Sequence, residues 1–288
     1  MGRELQVRGF FDEPTFTVSY LVWDPVTRYG AIIDSVLDFD PKSGRTGTQS
    51  AQAILDVAHK EGVIVDYILE THAHADHLSA APFLKQKTKA PIVIGEHIKA
   101  VQGVFKQVFN IPEVSGEGRE FDRLVKDGDR LELGELNIEV MHTPGHTPAC
   151  VSYRISDAVF VGDTMFMPDY GSARTDFPGG DARVLYRSIR RILALPPETR
   201  VFLCHDYKAP GRDHFAWEST VADECARNIH VHDGVSEDAF VAMREARDKT
   251  LSMPALILPS IQVNIRAGEL PAPESNGVRY LKLPIDAL

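Results

Sequence analysis

Between positions 71 and 77 the chain reads Thr71-His72-Ala73-His74-Ala75-Asp76-His77, with three imidazoles and a carboxylate inside six residues. Histidine offers a neutral nitrogen donor and aspartate a hard anionic oxygen, a mixture that suits zinc, iron or manganese rather than calcium or magnesium. The run follows Tyr67-Ile68-Leu69, an apolar and β-prone stretch, so the chain leaves a strand where the donors begin. A loop lets neighbouring side chains converge on one point, whereas a strand would send alternate ones to opposite faces. The competing reading of this segment by itself is a polar surface loop that is merely histidine-rich. Three isolated segments downstream weigh against it, because each offers a donor of the same kind.

His146 lies in His142-Thr143-Pro144-Gly145-His146-Thr147, where proline and glycine force a turn that can aim the imidazole inward. Asp163 follows the apolar run Ala158-Val159-Phe160-Val161-Gly162, where an unpaired carboxylate would be costly to bury. His205 ends Val201-Phe202-Leu203-Cys204. One such residue alone is ordinarily a hydrogen-bonded structural group. Four separate segments ending their strands in metal-donor types reverse that expectation.

These donors must be delivered by strands, and the pattern supplies them. Residues 16–23 and 30–34 read as an antiparallel pair joined by the Asp24-Pro25 turn, and 49–61 as a helix ended by Gly62. The strand 66–69 then leads to the histidine loop, a helix is expected to start near His77, 91–94 is a short buried strand, and 96–109 a helix closed by Pro112. Short strands at 131–133, 137–141, 151–155 and 158–161 suit a mostly antiparallel sheet, followed by an amphipathic helix at 183–193 and a strand at 201–203. Helices near 217–228 and 236–249 are expected to close the chain ahead of a Pro-rich tail with poor periodicity. Strand runs followed by helices, twice over, predict an α+β fold of two sheets packed face to face with helices outside.

With 43% hydrophobic and 25% charged residues, the 288-residue chain has the make-up of a globular protein with a large core. A net charge of −10 and the lack of a basic patch argue against nucleic acid and anionic membranes as partners. Cys150, Cys204 and Cys225 are too few for a disulfide framework and suit a reducing compartment. Met1-Gly2-Arg3-Glu4 opens no signal-peptide core, and no apolar run approaches the ~20 residues of a membrane span, so a cytoplasmic protein is expected. A homodimer is the prior for an enzyme of this kind.

The order His72-x-His74-x-Asp76-His77, His146, Asp163, His205 resembles the ligand signature of the metallo-β-lactamase superfamily over about residues 16–207. That resemblance implies an αββα sandwich, read as a single domain over 1–288 with a helical and Pro-rich extension from about 215. For dinuclear members it implies one metal on His72, His74 and His146, a second on Asp76, His77 and His205, and Asp163 bridging them. Gly162-Asp163-Thr164-Met165-Phe166, Gly171-Ser172-Ala173-Arg174-Thr175-Asp176-Phe177 and His205-Asp206-Tyr207 look like the persulfide dioxygenase branch, related to the ethylmalonic encephalopathy protein. Glu218-Ser219-Thr220-Val221 and Asn264-Ile265-Arg266-Ala267-Gly268 agree with it. The branch oxidises the terminal sulfur of glutathione persulfide to sulfite with O2 and one Fe(II). By that resemblance His72, His146 and Asp163 hold the iron, leaving His74, Asp76, His77 and His205 as an unfilled second site. Two histidines and a carboxylate on one face leave positions open for sulfur and O2.

Around that centre, Asp176 is a candidate to orient a ligand histidine, Tyr207 to reach substrate or oxygen, and Arg266 to bind a carrier carboxylate. Arg174 is either a substrate contact or, as the residues favour, the partner of Asp176 in a structural salt bridge. Cys204 reads as a small buried strand residue rather than a redox group. The longer segment 96–129 carries Phe105, Val108 and Phe109, a stripe that reads as core before pocket wall and leaves glutathione, coenzyme A or another thiol open as carrier. The same donors would also serve a two-zinc thioester hydrolase of glyoxalase II type, which would need the second set to hold a bridging water. A metal-binding or persulfide-sensing module without turnover is a further alternative.

Overall fold

The computed structural model describes residues 4–287, so Met1, Gly2 and Arg3, from the stretch used to judge a signal peptide, lie outside the described residues. In chain order come β1 (Gln6–Asp12), β2 (Thr17–Trp23), β3 (Tyr29–Ile33), β4 (Val36–Asp40), β5 (Arg45–Gly47), α1 (Gln49–Glu61), β6 (Ile64–Leu69), β7 (Leu78–Ser79), α2 (Ala81–Thr88), β8 (Ile92–Gly95), α3 (Ile98–Val108) and β9 (Arg123–Val125). The second half continues with β10 (Arg130–Leu133), β11 (Leu136–His142), β12 (Val151–Ile155), β13 (Ala158–Phe160), α4 (Ala182–Ile192), β14 (Arg200–Phe202), β15 (Glu218–Thr220), α5 (Val221–Arg227), α6 (Glu237–Asp248) and α7 (Ile257–Asn264).

Side-chain alternation along the strands explains the layers. In β2, Tyr20 and Val22 face the second sheet while Leu21 and Trp23 face the helices, so the whole strand is buried. One sheet has the order β1-β2-β3-β6-β8-β9 and the other β10-β11-β12-β13-β14-β15. Between them lies a core that includes Tyr20, Ile33, Leu69, Val140, Tyr153 and Phe160. A second core joins the first sheet to α1, α2, α3 and α7, and a third joins the other sheet to α4 and α6. The architecture is therefore an αββα sandwich of the α+β class, as expected. No helix among the described residues is long and apolar enough to cross a membrane.

Several elements differ from the sequence expectation, among them the unforeseen short strands β4, β5 and β9. β1 was not foreseen; it pairs antiparallel with β2 along its whole length, although its own residues are only partly buried and carry a weak pattern. The chain does not turn helical at His77: Leu78 and Ser79 pair with β4, and α2 starts at Ala81 with Pro82 in its first turn, where a missing N–H costs nothing. The segment 217–228 is divided, because residues 218–220 pair with β14 and Thr220 then caps α5 by accepting from the Asp223 N–H at 3.1 Å. Finally, α7 forms inside the Pro-rich tail. Its Pro259 is the third helical residue, within the turn whose N–H groups have no intrahelical acceptor. α7 buries Ile257 and Ile261 against Phe105 and Phe109 of the 96–129 segment, so that stripe is core.

Candidate metal centre

Each donor arrives on a loop that a strand has just released. β6 ends at Leu69, and the next eight residues bring His72, His74, Asp76 and His77 into the interior. His146 follows Gly145, whose φ of +132° suits glycine and whose added Cβ would sit 2.3 Å from the Leu185 backbone in α4. Asp163 follows Gly162 at φ +51°, where a Cβ would come within 2.5 Å of the Thr71 hydroxyl. His205 comes three residues after β14, and its backbone bridges to Thr17 on β2. The two glycines thus let α4 and the Thr71 loop close around the donors.

The donors converge. His72, His146 and Asp163 place one ligand atom each within 4.8 Å of the others, as do His74, Asp76 and His77. Asp163 Oδ2 is 3.8 Å from His72 Nε2 and 3.7 Å from His146 Nε2. His205 Nε2 lies between the groups, 3.2 Å from Asp163 Oδ1 and 3.3 Å from Asp76 Oδ2.

Neighbours orient the rings. His146 Nδ1 is 2.9 Å from the Arg174 carbonyl and His205 Nδ1 is 3.1 Å from that of Phe16, so both donate there and turn Nε2 inward. His72 Nδ1 meets Thr71 Oγ1 at 3.0 Å, which likewise leaves Nε2 facing the cluster. His74 is reversed: its Nε2 donates to Asp34 Oδ1 at 3.0 Å and its Nδ1 faces inward. The inward atoms His72 Nε2, His74 Nδ1, His77 Nε2, His205 Nε2 and Asp163 Oδ1 are buried without hydrogen-bond partners. Buried polar atoms without partners are rare, and this many at one point fit a bound cation. Burial and the neighbouring His74 and His146 rings push the His72 pKa well below the imidazole range, leaving it the neutral donor a metal needs. Burial opposes charge on His74, yet Asp34 raises its pKa well above that range, a field that equally favours a cation at Nδ1.

The sequence reading gave Asp34 no role and quoted Asn264 only within a stretch that agreed with the resemblance. Asp34 accepts from the Thr71 N–H and hydroxyl, both at 2.8 Å, as well as from His74. Burial would raise its carboxyl, but His74 and these hydrogen bonds outweigh that and hold it below the usual range. Its signal was the one that exposed Asp163, a carboxylate ending a buried apolar strand. Asn264, at the end of α7, donates to the His74 and His77 carbonyls at 2.8 and 2.7 Å and accepts from the Ser79 N–H at 2.8 Å. A residue 190 positions away clamps the donor loop.

The proposed outer residues divide. Asp176 does not meet a ligand histidine: it takes Arg174 in a two-point pair at 2.6 and 2.7 Å, while His146 uses the Arg174 backbone carbonyl. Arg174 also donates to the Ser252 carbonyl at 2.7 Å, so it lines the cavity with its donors committed, as the salt-bridge reading held. Arg266 is turned away from the cavity, bound to Glu113 at 2.6 Å and to the Gln262 carbonyl at 3.1 Å, because α7 packs against the 96–129 segment. Tyr207 lines the cavity and stacks on His205 at 5.6 Å between centroids. Enclosure of its hydroxyl end by the site, with Asp76 and Asp163 nearby, raises its phenol pKa above the ordinary range although the residue is 37% exposed. Cys204 is buried, 3.7 Å from Asp34.

His146, Asp163 and Asp76 open onto a cavity of about 230 Å³. Its walls are Phe166, Tyr170, Phe177, Leu251 and Pro254, with Arg244 and Arg247 from α6. Arg244 donates to the Ser172 carbonyl and Asp248 takes the Thr175 N–H, fixing the 171–177 loop against α6.

The family model described as the metallo-beta-lactamase superfamily matches residues 12–205, which contain every donor named above. The chain belongs to the metallo-β-lactamase superfamily. Within it, a probable metallo-hydrolase of Burkholderia pseudomallei is 57% identical over 99% of this chain and 100% of its own length. A Dictyostelium discoideum protein named glyoxylase B2 is 45% identical over 100% and 99%. Human persulfide dioxygenase ETHE1 is 28% identical over 93% and 90%. The chain spans 65% of the length of the β-lactamase hydrolase-like relatives from Xylella fastidiosa and Agrobacterium fabrum. Among solved structures, ETHE1 from Myxococcus xanthus shares 30% identity and a TM-score of 0.73 over 92% of this chain and 100% of that one. The two ETHE1 likenesses support the ETHE1 branch, while the more similar relatives carry hydrolase and glyoxylase names. Family and donor cluster together make the chain a metal-dependent enzyme of the superfamily.

Proposed function

We propose that the chain is a persulfide dioxygenase acting at one ferrous ion on His72, His146 and Asp163. The reaction is RSSH + O2 + H2O → RSH + SO3²⁻ + 2H⁺: the S–S bond breaks, the outer sulfur gives up four electrons and O2 accepts four. The observation that carries this reading is the unequal state of the two donor sets. Asp163 stands 3.7–3.8 Å from both histidine nitrogens, a gap that ligand bonds of about 2.0–2.2 Å would span. Asp76, in contrast, already has its Oδ2 engaged by His77 Nδ1 at 3.1 Å and by the Thr17 hydroxyl at 3.2 Å. The ETHE1 likeness supports the same chemistry.

A ferrous ion in that position would supply coordination sites for sulfur and O2 and the electrons that couple them. The Arg174 carbonyl and Thr71 hydroxyl fix the orientation of the two donor rings. Phe166, Tyr170 and Phe177 form an apolar wall that limits water around a reactive sulfur. Tyr207, which keeps its proton, is placed to donate a hydrogen bond to oxygen carried by the outer sulfur. Protein purified without oxygen should consume O2 only when a low-molecular-weight persulfide is added, releasing one sulfite per O2. No uptake with any such persulfide overturns the proposal.

The second reading is a dinuclear thioester hydrolase. It is favoured by the complete second set, whose His74 and His77 also aim orphaned nitrogens inward, and by the likeness to glyoxylase B2. Two metals per chain with thioester hydrolysis would promote it.

A further inference from the structure

The charges lining the cavity do not cancel. Asp76 and Asp163 belong to the donor cluster, Arg174 is paired with Asp176, and Arg244 is paired with Asp248 at 2.7 Å. Arg247, one helical turn from Arg244 on α6, also lines the cavity. It is exposed, and among the described residues its guanidinium meets no carboxylate or other acceptor. Burial holds the Arg244 cation below its ordinary range despite Asp248, and the charge of Arg247 adds to that. His230, packed behind the cavity loop against Gly171 and Ser172, adds no further positive charge, because burial and the two arginines lower its pKa to about 4. An unpaired guanidinium beside a second one, at the edge of an apolar cavity in a chain of net charge −10, is a local site for an anion.

We propose that Arg247 determines substrate specificity by pairing with a carboxylate of the thiol carrier, so that the enzyme selects small carboxylate-bearing persulfides over neutral ones. This rests on the persulfide dioxygenase reading for the reaction, although the carboxylate subsite itself does not. The same cavity of about 230 Å³ is lined by His146 and Asp163 and by the exposed Arg247, so a carrier whose sulfur reaches the donors can place a carboxylate against the guanidinium. Arg266, whose type suggested this role, is occupied by Glu113.

The test compares glutathione with its diethyl ester. Equilibrium binding of both thiols is measured calorimetrically to metal-loaded wild type, Arg247→Ala and Arg247→Lys, and kcat and KM are measured with both persulfides. Wild type should favour the acid over the ester about tenfold, the value of one charge-assisted pair. Arg247→Ala should lose that preference, with the fall in kcat/KM for the acid carried by KM, and Arg247→Lys should restore part of it. An undiminished preference in Arg247→Ala, or no preference in wild type, overturns the assignment. If no protein consumes O2 with either persulfide, the dioxygenase reading falls, and the binding preference still decides the role of Arg247.

Discussion

The two halves of the metal cluster are made of the same residue types yet are held differently. In the half formed by His72, His146 and Asp163, the donor atoms stand apart by 3.7 Å or more and two of the three residues face the cavity. In the other half, Asp76 Oδ2 lies 3.1 Å from His77 Nδ1, 3.2 Å from the Thr17 hydroxyl and 3.3 Å from His205 Nε2, while His74 is tied to Asp34. Only Asp76 of that half reaches the cavity. On the reading proposed above, one half is spaced for an ion and open to substrate; in the other, Asp76 is drawn in by hydrogen bonds while His74 Nδ1, His77 Nε2 and His205 Nε2 still face inward without partners. If the one-ion proposal holds, a full complement of ligand types does not amount to a filled site, and the partners behind the ligands decide.

The largest effect that would sharpen this contrast is Asp163→Ala. It should remove iron and turnover together, a loss on the order of 10³-fold or more by metal analysis and O2 uptake. Next is Asn264→Leu, which strands the His74 and His77 carbonyls and the Ser79 N–H. Metal affinity should fall about 10–100-fold and stability by about 2–4 kcal/mol, read by chelator competition and denaturant unfolding. His77→Ala, in the closed half, should keep close to one iron per chain and change kcat about tenfold or less. Complete inactivation of His77→Ala would erase the distinction.

The smallest effect concerns the support of the open half. Asn228 links the Gly171 carbonyl of the cavity loop to Glu224, whose carboxyl burial raises to about 7. A carboxyl raised on folding binds its proton more tightly in the native state, so its contribution is complete below about pH 4.5 and is lost as pH rises through 7. Across that window Glu224→Gln should remove up to roughly 3 kcal/mol of pH-dependent stability, leaving kcat in place. Melting curves at pH 5 and pH 8 provide the check.

How legible this was depended on where each property resides. The donors were visible because strand-end His and Asp are conspicuous against apolar runs, and the sandwich was visible because the strands alternate or are wholly apolar. Asp34 carried the same strand-end signal as Asp163 but was read only as the end of a strand. The clamp made by Asn264, the place of Arg247 in the cavity wall and the true partner of Arg266 were beyond reach, since each depends on the packing of α6 and α7. Pro259 disguised α7 itself, although a proline in a first turn is no obstacle. Local chemistry could be read from residue types, whereas the residues that orient it depended on tertiary packing.

The most direct measurement is the anomalous density of crystals grown from anaerobically purified protein, with metal content determined on the same preparation. The account predicts one iron per chain, bound by His72, His146 and Asp163, with no second ion among His74, Asp76, His77 and His205. Two ions of comparable occupancy, one in each half, would contradict it.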